Sequence, residues 1–139
     1  VLAFQYFFGE ESLRYDLREN VKGNELAKTP DFTADISITY ETELSSGNSL
    51  TSVLQFVKRG EFMQRVNNNP SVDIVPDYQI FNISVGVDFK NDLSLDFILL
   101  NAGDEDGLNS AMTDVFGVAA TGLEYIPPRQ MMTRLSYKF

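Results

Sequence analysis

The twelve residues from Pro128 to Phe139, PRQMMTRLSYKF, alternate in side-chain character and end on an aromatic residue. A period of two belongs to a pleated strand, because successive side chains leave on opposite faces. Met131, Thr133, Leu135, Tyr137 and Phe139 therefore share one face, and Met132, Arg134, Ser136 and Lys138 share the other. A soluble domain would bury the first face in a core. A membrane barrel would turn it to lipid and keep Arg134 and Lys138 in a wet lumen.

The same period recurs upstream. Val1–Phe8 reads as a strand that is apolar on both faces. Pro30–Glu43 sets Phe32, Ala34, Ile36, Ile38 and Tyr40 against Thr33, Asp35, Ser37, Thr39 and Glu41. Leu50–Arg59 is a strand whose alternation is blurred by Val53 and Val57. Tyr78–Phe89 is the cleanest, with Phe81, Ile83, Val85, Val87 and Phe89 opposite Asn82, Ser84, Gly86 and Asp88. Leu93–Asn101 follows, with Leu95, Phe97 and Leu99 opposite Ser94 and Asp96. The expectation is an all-β, antiparallel up-and-down meander of about six strands forming one unit over residues 1–139.

Charge and residue usage narrow the function classes. Twenty acidic against eleven basic residues give a net charge of −9, which opposes binding to nucleic acid. Without Cys there are no disulfides or thiolate metal sites. Without His, the Ser-His and Cys-His nucleophilic arrangements and the common zinc sites are missing too. The chain is thus not expected to be an enzyme, nor to carry a cofactor. A membrane-embedded hydrolase would need its catalytic groups elsewhere. No apolar run approaches the length of a spanning helix, so any contact with a bilayer is through strands. The start at Val1, without a leader, favours a piece of something longer.

Connections between strands alternate in length. Residues 9–29, 60–77 and 102–127 are read as long loops, whereas Ser45-Ser46-Gly47-Asn48 and Lys90-Asn91-Asp92 are tight turns. In a meander this puts all long loops at one end, as in transmembrane barrels. Tyr40, Phe89, Tyr137 and Phe139 then gather near the tight-turn end, and Phe8, Phe32 and Phe81 near the other, with aliphatics between. Phe4, Phe56 and Phe97 are exceptions to these girdles. The eight steps from Phe81 to Phe89 cover about 26 Å, or about 19 Å of depth at about 45° of tilt. A soluble meander with one buried face is the competing reading.

Several short motifs, taken in order, resemble the carboxy-terminal part of a TonB-dependent outer-membrane receptor. They are Gly23-Asn24-Glu25-Leu26-Ala27-Lys28-Thr29-Pro30 before a strand, Arg59-Gly60 closing another, Val75-Pro76-Asp77-Tyr78 opening a third, and Pro128-Arg129 before a last strand that ends at Phe139. Asn101-Ala102-Gly103-Asp104 keeps the Asn and Asp of the family's Asn-Leu-Phe-Asp type sequence but not its hydrophobic pair. The resemblance implies a segment of a barrel of about 22 strands, whose plug and earlier strands are absent here. It also implies the outer membrane of a Gram-negative bacterium and energised uptake of a scarce nutrient such as siderophore iron, cobalamin or an oligosaccharide. The implied partners are outer-membrane lipid, the rest of the barrel and its plug, the TonB energy complex acting through that plug, and the barrel-assembly machinery reading Tyr137 and Phe139.

Within that frame Asp35, Glu41, Asp88, Asp96, Arg134 and Lys138 are candidate lumen-facing residues, either hydrating the lumen, pairing with the plug or touching ligand. Asp104, Asp106 and Asn109 lie in an oxygen-rich, glycine-turned loop that is a minor candidate for calcium, although it lacks full spacing and a closing Glu. Tyr15, Phe62, Phe116 and Tyr125 are loop aromatics able to stack on a ligand or to anchor their loops. A passive porin-like or structural barrel without energy coupling is the alternative function.

Overall fold

The computed structural model describes residues 20–113 and 121–139, so the expected strand Val1–Phe8, Tyr15 and Phe116 lie outside the described residues. Among the described residues there are nine strands and no helix. They are β1 (Thr33–Glu43), β2 (Ser49–Arg59), β3 (Phe62–Met63), β4 (Ile74–Val75), β5 (Tyr78–Asp88), β6 (Leu93–Leu100), β7 (Leu108–Thr113), β8 (Thr121–Tyr125) and β9 (Gln130–Tyr137). Five form one sheet in the order β1-β2-β5-β6-β9, every neighbouring pair antiparallel. This is the expected up-and-down meander, with β1 and β9 at its edges.

Two tight turns close one end of the sheet. Leu44 N–H donates to Asn48 O at 2.8 Å, with Gly47 at a φ of 75° that glycine adopts without strain. Phe89 N–H donates to Leu93 O at 2.7 Å around the second turn, and Lys138 N–H to Asp92 O at 3.0 Å seats the carboxy-terminus beside it.

The two long connections at the other end correct the reading of them as plain loops. Residues 60–77 contain the short β3–β4 pair, and residues 102–127 contain the β7–β8 hairpin. Phe62, Val75 and Ala111 are buried together with Leu108 packed against them, joining the two excursions into a cap. Gly107 permits this packing, since a Cβ there would fall 2.7 Å from the Tyr78 ring. Arg59 ties the sheet to the cap. Its guanidinium lies 4.3 Å from the Phe62 ring centroid, and its Nη1 donates to Asn109 O and Oδ1, both at 2.9 Å. Deeper in the β3–β4 excursion, the fully buried Asp73 accepts from Arg65 Nε at 2.6 Å and from Asn69 N–H at 2.8 Å. Gln64 Nε2 also donates to it, at 3.3 Å, and these three donors compensate the desolvation of that carboxylate.

The buried apolar side chains among the described residues are those of the cap, not of the sheet. Among the described residues a core therefore sits at the long-connection end, and the five-stranded sheet carries none on either face.

Candidate functional site

Register fixes what each face of the sheet presents, because residues paired across antiparallel strands point to the same side. One row runs Ile38, Leu54, Ile83, Leu99, Met131, and another runs Thr42, Leu50, Val87, Leu95, Leu135. The row between them is Tyr40, Ser52, Val85, Phe97, Thr133. This face is apolar and uncovered among the described residues. Ile38 is 62% exposed, Tyr40 61% and Leu135 68%. Five strands about 4.8 Å apart, apolar over about 26 Å, present a patch of about 600 Å². Soluble monomers rarely leave more than a few hundred Å² of contiguous apolar surface open to water.

The aromatics on this face follow two oblique lines. Through Ser52, Val85 and Phe97, Tyr40 is in register with Thr133, while Tyr137 and Phe139 lie four and six residues further toward the tight-turn end. Four strand spacings are about 19 Å and four to six residues about 13–20 Å, so this line crosses the strands at about 35–46° from the perpendicular. Phe32, just before β1, and the Phe56–Phe81 pair, with ring centroids 5.0 Å apart, define the second line, which slopes the same way. Phe56 thus falls on the second line beside Phe81. Phe97 stays mid-sheet beside Val85. Along the strands, Phe32 to Tyr40 on β1 and Phe81 to Phe89 at β5 are each eight residues apart.

The opposite face is polar and divides into two zones. Its tight-turn half carries most of the candidate charges. Arg134 Nε donates to Asp96 Oδ2 at 2.9 Å, and Ser94 Oγ donates to Asp88 Oδ1 at 2.5 Å. Gly86, directly opposite Asp96, leaves the room this carboxylate occupies, since a Cβ there would lie 2.7 Å from Asp96 Oδ1. Glu41 and Glu43 complete the acidic zone on β1 and make no ion pair among the described residues. Lys138 follows β9, and Tyr137 and Phe139 meet edge-on with centroids 5.6 Å apart.

In the other half a ladder of uncharged amides crosses the sheet. Asn101 N–H donates to Asn82 Oδ1 at 2.9 Å, and Asn82 Nδ2 donates to Gln55 Oε1 at 3.0 Å. Gln55 Nε2 in turn donates to both carboxylate oxygens of Asp35, at 3.0 and 2.9 Å. Aliphatic side chains flank the ladder, including Val53, Val57, Ile80, Ile98 and Leu100. Val53 and Val57, which blur the alternation of β2, belong to this zone. Asn101 is buried at a φ of 48° and clamps both legs of the β7–β8 excursion. Its Nδ2 donates to Glu105 O and Pro127 O, and its Oδ1 accepts from Glu105 N–H. Asp104 reinforces that clamp by accepting from Arg129 N–H at 2.9 Å.

The candidate lumen charges Asp35, Glu41, Asp88, Asp96 and Arg134 share the polar face, but only Asp96 and Arg134 pair with one another. The calcium candidates are not brought together: Asp104 is engaged by Arg129 and Asn109 by Arg59. Among the described residues no group of His, Cys, Asp and Glu is placed to hold a metal ion. Of the loop aromatics, Phe62 is a buried anchor and Tyr125 is exposed. The amides Gln55, Asn82 and Gln130 carry no charge, so nothing in the sequence pattern singles them out from the other polar residues of this face. Outside the sheet's apolar band, Lys58 donates to Asp77 and holds that carboxyl below its ordinary range.

No protein-family model matches the chain, and no curated protein or solved structure matches it.

Proposed function

We propose that this chain is part of the barrel wall of a TonB-dependent outer-membrane receptor that takes up a scarce nutrient with energy supplied from the inner membrane. The observation that carries the reading is the uncovered apolar face, bounded by two oblique lines of aromatics that slope the same way. Strands of a transmembrane barrel tilt by about 35–45°. That tilt would level the line from Tyr40 to Phe139 and bring Phe32, Phe56 and Phe81 toward a common height, as girdles at the two membrane interfaces with about 19 Å of largely aliphatic surface between them. The charged zone would then face a water-filled lumen, and the cap of long connections would stand on the outer side. A soluble meander offers no reason for the aromatics to keep that slope or that spacing.

An open sheet cannot stay in hydrocarbon, because each unpaired edge exposes backbone groups at several kcal/mol apiece. Strands beyond β1 and β9 are therefore part of the proposal, as are a plug and the outer-membrane location. The test uses the intact protein in Gram-negative cells. Fractionation should recover it in the outer membrane, and saturable uptake of its nutrient should stop when the inner-membrane energy complex is deleted. Diffusion that persists without the complex would make it a passive porin-like barrel. Recovery as a detergent-free soluble monomer would end both readings.

A further inference from the structure

The uncharged half of the polar face is shaped as well as patterned. At the foot of the cap, Ile80, Leu100, Ile126, Pro127 and Pro128 wall a hollow of about 170 Å³. Next to it Val53, Ile98 and Leu100 wall a second, of about 210 Å³, and Asn82 and Leu100 line both. Together they make one groove along the amide ladder. No ionised side chain lines either hollow. Of the carboxylates on the same face, Asp35 is already engaged by Gln55 and Asp96 by Arg134.

The floor of this groove is pre-organised. Asn82 is held from both sides, by Asn101 N–H and by Gln55, which orients its amide plane and leaves it no freedom to swing away. Gln130, in register with Leu100 on β9, lines the same hollow, and its exposed amide makes no hydrogen bond among the described residues. An amide side chain offers a donor and an acceptor side by side. The group that satisfies both at once is another amide. The aliphatic walls suit a neutral hydrocarbon frame around that group, and a carboxylate or ammonium brought there would be partly desolvated without a countercharge.

We infer that this groove is a binding subsite for a neutral, amide-bearing aliphatic group, peptide-like in chemistry, with Gln130 as its contact residue and Asn82 as its floor. The subsite deepens the uptake reading by assigning a ligand class to the wet face beneath the cap, and it rests on that reading only for how the ligand arrives. Anionic chelates, by contrast, meet no cation among the residues lining this groove and only the single free amide of Gln130.

Saturation-transfer NMR on the intact protein in detergent micelles tests it with two probes, acetyl-leucyl-glycinamide and its carboxylate twin acetyl-leucyl-glycine. The neutral probe is expected to bind saturably and at least about tenfold more tightly than the anionic one. Gln130→Leu, at an exposed position outside the ladder, should weaken the neutral probe about three- to tenfold through the lost hydrogen bonds. Gln130→Glu, which removes the donor and adds charge, should weaken it at least as much, with an unchanged melting temperature as the check on folding. Equal binding of the two probes, no effect of either substitution, or no saturable binding would each overturn the subsite. Binding that persists in a protein whose uptake needs no energy complex would remove the uptake reading and leave the subsite standing. Energised uptake by a protein that binds neither probe would do the reverse.

Discussion

Replacing Val85 by arginine separates the two environments that the apolar face can have. Val85 is four residues from Phe81 and four from Phe89, so on a strand tilted by about 45° it lies about 9 Å in depth from either aromatic line. It is the midpoint of the band. An arginine facing hydrocarbon at mid-depth costs about 2–4 kcal/mol, falling to about 0–1 kcal/mol near the interfaces. In water the same position, already 36% exposed, would accept arginine within about 0.5 kcal/mol. Two controls share strand β5. Ser84→Arg points to the polar face, and Gln79→Arg lies in the row of Ala34 and Lys58, beyond the Phe56–Phe81 line. The assay is equilibrium unfolding in urea of the intact protein refolded into short-chain phosphatidylcholine vesicles, read by heat-modifiable gel mobility. Val85→Arg should lose about 2–4 kcal/mol, and each control no more than about 1 kcal/mol. Equal losses for Val85→Arg and Ser84→Arg would refute the assignment of the two faces.

Asn101→Ala should cost about 2–3 kcal/mol, since it removes three hydrogen bonds from a buried clamp, and should raise amide exchange on both sides of the β7–β8 excursion, at Glu105 and Ile126. Arg65→Met leaves the carboxylate of Asp73 buried without its cation and should cost about 3 kcal/mol, read as exchange or proteolysis confined to residues 60–77. Gly86→Ala should displace the Asp96 side chain and break its pair with Arg134, at no more than about 1 kcal/mol because that pair is exposed; a double-mutant cycle with Arg134→Met measures it. The lowered folded-state pKa of Asp77 means that its pairing with Lys58 contributes fully above the ordinary carboxylate range and is lost as pH falls through the lowered value. Lys58→Met should move the NMR-observed titration of Asp77 back up toward that range, as should added salt in the parent protein.

Strand identity was legible because a side-chain period of two survives wherever one face differs strongly from the other, as from Phe81 to Phe89. Where the faces converge in character, the signal fades. Val53 and Val57 blur the alternation of β2, yet they belong to an aliphatic zone on the polar face that only strand pairing makes visible. The hairpins of the cap were illegible for other reasons. β3 and β4 are two residues each, and β7 carries a register irregularity between Leu108 and Ser110 that destroys its alternation. Its buried residue, Ala111, is too small to announce a core. Charge located Asp96 and Arg134 on the correct face. It passed over the amide ladder, whose members are ordinary polar residues until register lines up Gln55 with Asn82.

β1 and β9 both run from the capped end toward the tight turns, as the first and last members of a five-membered alternating series must. A ring in which every neighbour reverses direction contains an even number of members. The remainder of such a ring must then contribute an odd count. If the strands proposed beyond β1 and β9 close such a ring, they cannot all belong to complete hairpins of their own, and one of them must pair off with the five of this sheet.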